Sequence, residues 1–143
     1  MNKIIYTRDL NERLEELQGL RAALETAKEE LAEVEQANEE GDAAIVDAEK
    51  EVEIAENAFG TDEAKELKEL EELESEISEW RDGNTMIHEN EFVDYCKGLC
   101  EDFGDVPKNI PHYIAINWDE TAENIKADYS EVTYQGEPYL VKD

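Results

Sequence analysis

The chain has 143 residues, of which 40 are acidic and 13 basic, so its formal net charge at pH 7 is −27. Such a chain repels phosphates and anionic membrane surfaces, which excludes ordinary nucleic-acid binding and leaves basic partners, cations or no partner. The apolar fraction of 40% allows a modest core, but it is lean for one globule built from the whole length.

The sequence contains no apolar run of about eighteen residues that could cross a membrane. Its first residues also lack an apolar stretch followed by a cleavage site, so we expect a cytoplasmic protein without membrane contacts. The two cysteines, Cys96 and Cys100, are four residues apart in a predicted helix. At that spacing cysteines more often pack as small apolar side chains than form a disulfide.

The first predicted helix begins near Thr7 or Asp9, either of which can cap it through a side-chain oxygen. Between Leu10 and Val34 apolar residues recur at steps of three and four, which is the narrow stripe of a coiled-coil seam. The stripe lapses around Gly41, which suits a C-terminal cap, and Asp42, which suits the N-cap of a second helix.

The apolar stripe resumes from Ile45 to Phe59, breaks at Gly60, and continues in a third helix from Ala64 to Trp80. Because a lone helix with a narrow stripe is unstable in water, these helices must pack on something. A helical hairpin is the simplest solution, with its turn at either Gly41 or Gly60. A dimeric coiled coil is the alternative, although long parallel dimers prefer unbroken heptads.

Composition shifts near residue 84, so we predict two domains. Residues 1–84 form an acidic helical hairpin or coiled coil, and residues 85–143 form a small α+β domain. In the second domain, residues 89–103 place apolar side chains on one face of a helix. These side chains are Phe92, Tyr95, Cys96, Leu99 and Phe103. The predicted fold class is mainly α, with a C-terminal β-hairpin.

The rest of the second domain alternates short elements. Tyr113–Ile116 is predicted as a short strand, and Asn117 should cap the helix that follows it. Residues 131–134 and 138–141 flank a turn containing Gly136 and predict the β-hairpin. The second strand of that hairpin contains a proline, which predicts a position at the edge of a sheet.

Catalytic and metal-binding patterns are weak in this sequence. His88 and His112 neighbour no nucleophile motif, and the glycines are scattered singly, so no phosphate-binding loop is present. The histidines and cysteines lack the spacing of a zinc site, and no calcium loop occurs. Acidic pairs such as Glu29 and Glu30 lie among many similar residues rather than in a distinct site. We expect no enzyme, no cofactor and no metal.

The charge pattern is the strongest functional signal, with thirteen acidic residues between Glu25 and Glu56. On helices this stretch is about 48 Å long, or about 3.7 Å of axis per carboxylate. One strand of B-DNA carries a phosphate about every 3.4 Å, so a Lys- and Arg-lined cleft would attract this surface. Acidity that serves only solubility is the alternative. We expect nine acidic residues to contact a partner: Glu25, Glu29, Glu30, Glu33, Asp47, Glu51, Glu69, Glu72 and Glu76.

Residues 114–130 resemble the closing segment of ArdA-type antirestriction proteins and of related short acidic proteins of phages and mobile elements. In that family an apolar strand and an acidic residue precede a helix with Ala and Asp at intervals, and an aromatic residue follows. The fitting positions here are Asp119, Ala122, Asp128 and Tyr129. Residues 132–141 look like the terminal hairpin often attached to this segment in phage proteins. The helical pattern of residues 1–84 departs from that family.

ArdA-type proteins are elongated DNA mimics that occupy the DNA-binding groove of type I restriction-modification enzymes. The resemblance therefore implies an acidic DNA mimic that inhibits a basic DNA-binding host defence protein, such as a restriction-modification enzyme, a CRISPR effector or another nuclease. Such a protein contacts no nucleic acid directly, and a homodimer is compatible with the sequence. The alternative is a non-enzymatic coiled-coil structural or adaptor protein, for example a phage assembly component.

Overall fold

The computed structural model describes residues 4–39 and 41–143. The fold is mainly α, with packed N-terminal helices, a small antiparallel sheet and a C-terminal β-hairpin, as the sequence predicted. The α-helices are α1 (Thr7–Ala37), α2 (Ala43–Ala58), α3 (Thr61–Glu76), α4 (Phe92–Asp102) and α5 (Trp118–Lys126), and a 3₁₀ turn covers Glu89–Glu91. The strands are β1 (Ile4–Tyr6), β2 (Thr85–His88), β3 (Tyr129–Tyr134) and β4 (Glu137–Lys142).

The chain divides into two compact units, whose boundaries lie inside α1 and α3. Leu10–Glu72 forms the first, here called the helical unit. Met1–Asp9 and Leu73–Asp143 form the second, here called the sheet unit. The boundary that composition predicts at residue 84 therefore lies within the sheet unit, since both strands β1 and β2 belong there.

Leucines of α1 and α3 are the most deeply buried described side chains of the helical unit. The enclosed side chains are Leu14, Leu17, Leu67 and Leu70. Fully burying a side chain of this size stabilises a fold by about 1.5–3 kcal/mol. The narrow leucine stripe, rather than helix propensity, therefore holds these long helices together.

The hairpin turn lies at Gly41, one of the two positions that the sequence allowed. Gly41 has a φ of 87°, which only glycine adopts at little cost. The side chain of Asp42 accepts a hydrogen bond of 2.9 Å from the Ala44 N–H and caps α2, as predicted. Gly60 instead separates α2 from α3 within the second arm, because both of these helices contact α1.

The sheet has the strand order β1-β2-β4-β3, and every neighbouring pair is antiparallel. The predicted hairpin is confirmed: β3 and β4 join through Gln135 and Gly136, whose φ values are 52° and 78°. Two residues of positive φ between paired strands match the right-handed strand twist. Strands β1 and β2 were not predicted, since each has only three or four residues.

Three predictions about local structure are wrong. Pro138 lies in β4, which is a central strand rather than an edge strand. Because Pro138 lies one residue outside the part of β4 that pairs with β2, its missing N–H removes no hydrogen bond between β2 and β4. Residues 113–116 form no strand, and Tyr113 is 78% exposed. The third helix ends at Glu76 rather than Trp80, and Glu79 in the turn that follows adopts a φ of 57°, which a helix does not allow.

Thr7 closes the start of α1 onto the segment that follows α3 within the sheet unit. Its hydroxyl donates to the Trp80 carbonyl over 3.0 Å and accepts from the Asn84 N–H over 2.7 Å. Thr7 is fully buried, so these two bonds satisfy a hydroxyl that would otherwise be costly to enclose.

The core of the sheet unit gathers the sheet, α4 and α5. Its buried members are Ile87, Phe92, Cys96, Ala122 and Leu140. Tyr129 packs edge-to-face on Phe92 with ring centroids 5.1 Å apart, and burial raises its pKa to about 12. The predicted apolar face of α4 is confirmed at its first two turns, whereas Phe103 is 75% exposed.

Candidate functional site: the acidic helical surface

The nine acidic residues predicted as partner contacts are distributed over both units. Glu76 belongs to the sheet unit, and the other eight belong to the helical unit. Glu69 is half-buried, whereas the remaining eight are exposed. The structure therefore places eight of these carboxylates where a partner can reach them, and it leaves Glu76 in a different compact unit.

The helical unit has two parts of different charge. The tip, defined as residues 23–58, contains thirteen acidic and two basic residues. The stem, defined as residues 10–22 and 59–72, contains nine acidic and four basic residues. The formal net charge is therefore −11 for the tip and −5 for the stem. Six of the nine predicted contacts lie in the tip: Glu25, Glu29, Glu30, Glu33, Asp47 and Glu51.

Both arginines of the stem are held by glutamates of α3. The Arg13 guanidinium donates two hydrogen bonds to the Glu66 carboxylate, of 2.8 and 3.0 Å. Arg21 donates one hydrogen bond of 3.1 Å from its Nη1 to Glu71 Oε1. The hydrogen bonds from Arg13 hold the pKa of Glu66 below its usual range. In the stem, part of the negative charge is therefore compensated inside the fold.

The tip concentrates its carboxylates along a short axis because α1 and α2 run side by side. Ten acidic residues lie on α2 and the neighbouring part of α1, over a helical length of about 24 Å. That is one carboxylate per about 2.4 Å of axis, whereas B-DNA carries a charge every 3.4 Å per strand and about every 1.7 Å for both strands. The linear density of carboxylates in the tip therefore lies between that of one DNA strand and that of the duplex. Lys28 and Lys50 reduce the net charge density to about one negative charge per 3 Å.

An open apolar hollow of about 470 Å³ lies between α1 and α2 in the tip. Its lining is Ala23, Thr26, Ala27, Glu30, Glu51, Ile54, Ala55 and Ala58. Ile54 is 69% exposed, although it is a large aliphatic side chain. Glu30 of α1 and Glu51 of α2 bring one carboxylate from each helix to the hollow. The sequence reasoning missed this feature, and its signal was an isoleucine outside the periodic stripe of α2.

The histidines and cysteines occupy separate places in the sheet unit. His88 is buried; its Nδ1 accepts a hydrogen bond of 3.1 Å from the Asn90 N–H, and its Nε2 lies 3.4 Å from Glu137 Oε2. Cys96 is buried in the core, where burial raises its thiol pKa to about 11. Both cysteines are free, and the buried one packs as a small apolar side chain, as predicted.

A second hollow of about 590 Å³ lies in the sheet unit, beside the irregular segment before α5. His112 and Trp118 line it together with Lys97 and Lys108. Within residues 4–39 and 41–143, no group of three or more His, Cys, Asp or Glu side chains is arranged to hold a metal ion. Over the same residues, no helix has both the length and the apolar character to cross a membrane.

Comparisons with protein-family models, with curated proteins and with solved structures found no match to this chain. The resemblance to ArdA-type proteins over residues 114–141 therefore stays a prediction. The structure gives that stretch an irregular segment, α5, β3 and most of β4. Function depends on a site rather than on a fold, and the tip has the more negative surface of the helical unit, with a formal net charge of −11 against −5 for the stem.

Proposed function

We propose that this protein is an acidic DNA mimic that occupies the DNA-binding groove of a basic protein and competes with DNA for it. One observation carries the proposal: the tip displays exposed carboxylates on two adjacent helices at a linear density between those of single-stranded and duplex DNA. Folding has a role in this, because the hairpin roughly doubles the number of charges per length of axis relative to a single helix.

The binding energy of such a surface would come from many small contributions. A groove that binds DNA carries Lys and Arg side chains at phosphate spacing, and these form charge-assisted hydrogen bonds with carboxylates as well as with phosphates. One exposed ion pair contributes under about 1 kcal/mol, so no single glutamate should dominate. The attraction should also weaken steeply with salt, as it does for DNA.

The target class in this proposal is a host defence protein, such as a restriction-modification enzyme, a CRISPR effector or another nuclease. The resemblance of residues 114–141 to ArdA-type antirestriction proteins supports this target class. The tip supplies the recognition chemistry for any of these targets, since all of them bind a DNA backbone through a positively charged groove. No catalytic step by this chain is needed for inhibition.

The decisive experiment is competition for a DNA-binding enzyme between this protein and fluorescently labelled duplex DNA. A type I restriction-modification enzyme is the first target to use, and anisotropy at several salt concentrations is the readout. The tip variant combines Glu29→Gln, Glu33→Gln and Asp47→Asn. The matched stem variant combines Glu12→Gln, Glu15→Gln and Asp62→Asn, which are equally exposed in the parent chain.

We expect the tip variant to compete at least tenfold less well than the parent chain at low salt. The stem variant should lose less than threefold, although it carries the same change in net charge. Circular dichroism must show that both variants keep the parent's helical content. Equal losses for the two variants would show that total charge alone matters, and retained competition by the tip variant would contradict the proposal.

A further inference from the structure

The hollow between α1 and α2 has no counterpart on DNA. Four of its eight lining residues are alanines, and one of them, Ala27, is only 8% exposed. Ile54 also lines the hollow, and most of its side chain is exposed to water. An aliphatic side chain left exposed beside these alanines is apolar surface that a partner's side chain could cover.

The hollow is open rather than enclosed and is lined by residues of two helices that lie side by side, so it suits a helical occupant. A hollow lined by alanines between two helices admits the larger apolar side chains of a third helix, which is how helix-in-groove recognition works. Glu30 and Glu51 stand on opposite helices around the hollow. Cationic side chains on both flanks of the occupant would therefore meet carboxylates.

We propose that the α1–α2 hollow is a docking site for an amphipathic helix of a basic protein, with bulky apolar side chains in the hollow and Lys or Arg beside Glu30 and Glu51. The inference rests on the proposed function, because it names the feature of the target that would distinguish it from other basic proteins. Charge brings the partner to the tip, and the apolar contact selects among basic partners.

Charge excludes the other occupants. A second copy of this chain would bring the Glu30 and Glu51 carboxylates of two tips together, and no Lys or Arg is among the described residues that line the hollow. Nucleic acids and anionic membranes are repelled by a tip of net charge −11. A basic amphipathic helix is the occupant for which both the apolar and the electrostatic terms are favourable.

The test uses a synthetic peptide of about 18 residues, long enough to be partly helical alone, made of leucine, lysine and alanine. In one version the leucines lie on a single helical face, and a scrambled version has the same composition and charge. Binding to the full chain is followed by fluorescence anisotropy. The variant Ile54→Glu removes the apolar contact, and Val46→Glu on the same helix is its control, since Val46 is 42% exposed and does not line the hollow.

Both substitutions add the same negative charge, which by itself favours a cationic peptide. We expect the amphipathic peptide to bind the parent chain and the Val46→Glu variant at least tenfold more tightly than the scrambled peptide does. Ile54→Glu should reduce that preference to less than twofold. If Ile54→Glu still binds both peptides but no longer prefers the amphipathic one, the result supports an apolar contact in the hollow that is distinct from the attraction between charges.

Other outcomes overturn the inference in distinguishable ways. Equal binding of both peptides to the parent chain would show that charge alone acts; the docking site would be rejected while the proposed DNA mimicry stood. No binding of either peptide at low salt would reject the docking site and count against the mimicry as well. Light scattering tests for a second copy. If the parent chain forms dimers at high concentration and Ile54→Glu does not, a second copy rather than a basic helix covers the hollow.

Discussion

The stem and the tip of the helical unit share α1, but α1 is paired with α3 in the stem and with α2 in the tip, and the two parts differ in packing and charge. In the stem, leucines such as Leu17 and Leu67 are fully enclosed, and Arg13 and Arg21 compensate part of the charge. In the tip, alanines take the place of many of the leucines, and there are thirteen acidic residues but only two lysines. Like charges at this density destabilise a compact state, so a firmly packed stem allows the tip to display them.

A substitution that creates a cavity in the stem should have the largest effect on the free energy of unfolding, and it tests this comparison. Leu17→Ala should lower the free energy of unfolding by about 2–5 kcal/mol, because the side chain is fully buried. Leu31→Ala in the tip should cost less than half as much, since Leu31 is only half-buried. Urea denaturation of the two variants measures both values. Equal losses would mean that the tip is packed as firmly as the stem.

Two glycines should respond with opposite signs to the same substitution. Gly41→Ala should cost about 1 kcal/mol, because its φ of 87° strains any side chain although a Cβ there meets no atom within 4 Å. Gly19→Ala should add about 0.5–1 kcal/mol, since Gly19 lies within α1 and a Cβ there is also unobstructed. Thermal melts followed by circular dichroism compare the variants. A stabilising Gly41→Ala would place the hairpin turn elsewhere.

The smallest expected effect concerns the ion pair of the stem. Glu66→Gln should destabilise the chain by at most about 1 kcal/mol at pH 7, because both side chains of the Arg13–Glu66 pair are about one-third exposed. The pKa of Glu66 is lowered in the folded state, so its contribution is present above the unfolded value, near 4.3, and is lost as pH falls through the depressed folded pKa.

The pH dependence provides the control for this ion pair. At a pH below the lowered folded-state pKa of Glu66, the parent chain and Glu66→Gln should unfold at the same urea concentration, because protonated glutamate resembles glutamine. Glu12→Gln, an exposed stem substitution, should change stability little at either pH. A difference for Glu66→Gln that persisted in acid would show that the residue acts through packing rather than through Arg13.

Local signals in the sequence predicted most of the helical architecture. The caps at Asp42 and Asn117 were correctly placed, because capping depends on one side chain and the two or three residues after it. The β-hairpin around Gly136 was also read correctly from its turn residues. Strands β1 and β2 were missed because their pairing partners lie about eighty and fifty residues away, respectively, and such short segments carry little periodicity of their own.

The candidate site was predicted only in part. The exposure of the glutamates on α1 and α2 could be predicted from the apolar stripe, because all positions outside the stripe are expected to face solvent. The separation of Glu76 from the other eight predicted contacts did not, because α3 continues across the boundary between the units. Nor did the exposure of Ile54, since periodicity states which residues leave the stripe but not which of them a neighbouring helix covers.

The sequence by itself determined the sign and the placement of the charge, the helices and their caps, because these depend on composition and on residues a few positions apart. Only the tertiary structure decided that the chain reverses at Gly41, that β4 is central in the sheet, and that alanines of α1 and α2 leave a hollow beside Ile54. The physical reason is range: caps and stripes are local, whereas the reversal, the strand order and the covering of a side chain depend on which distant segments pack together.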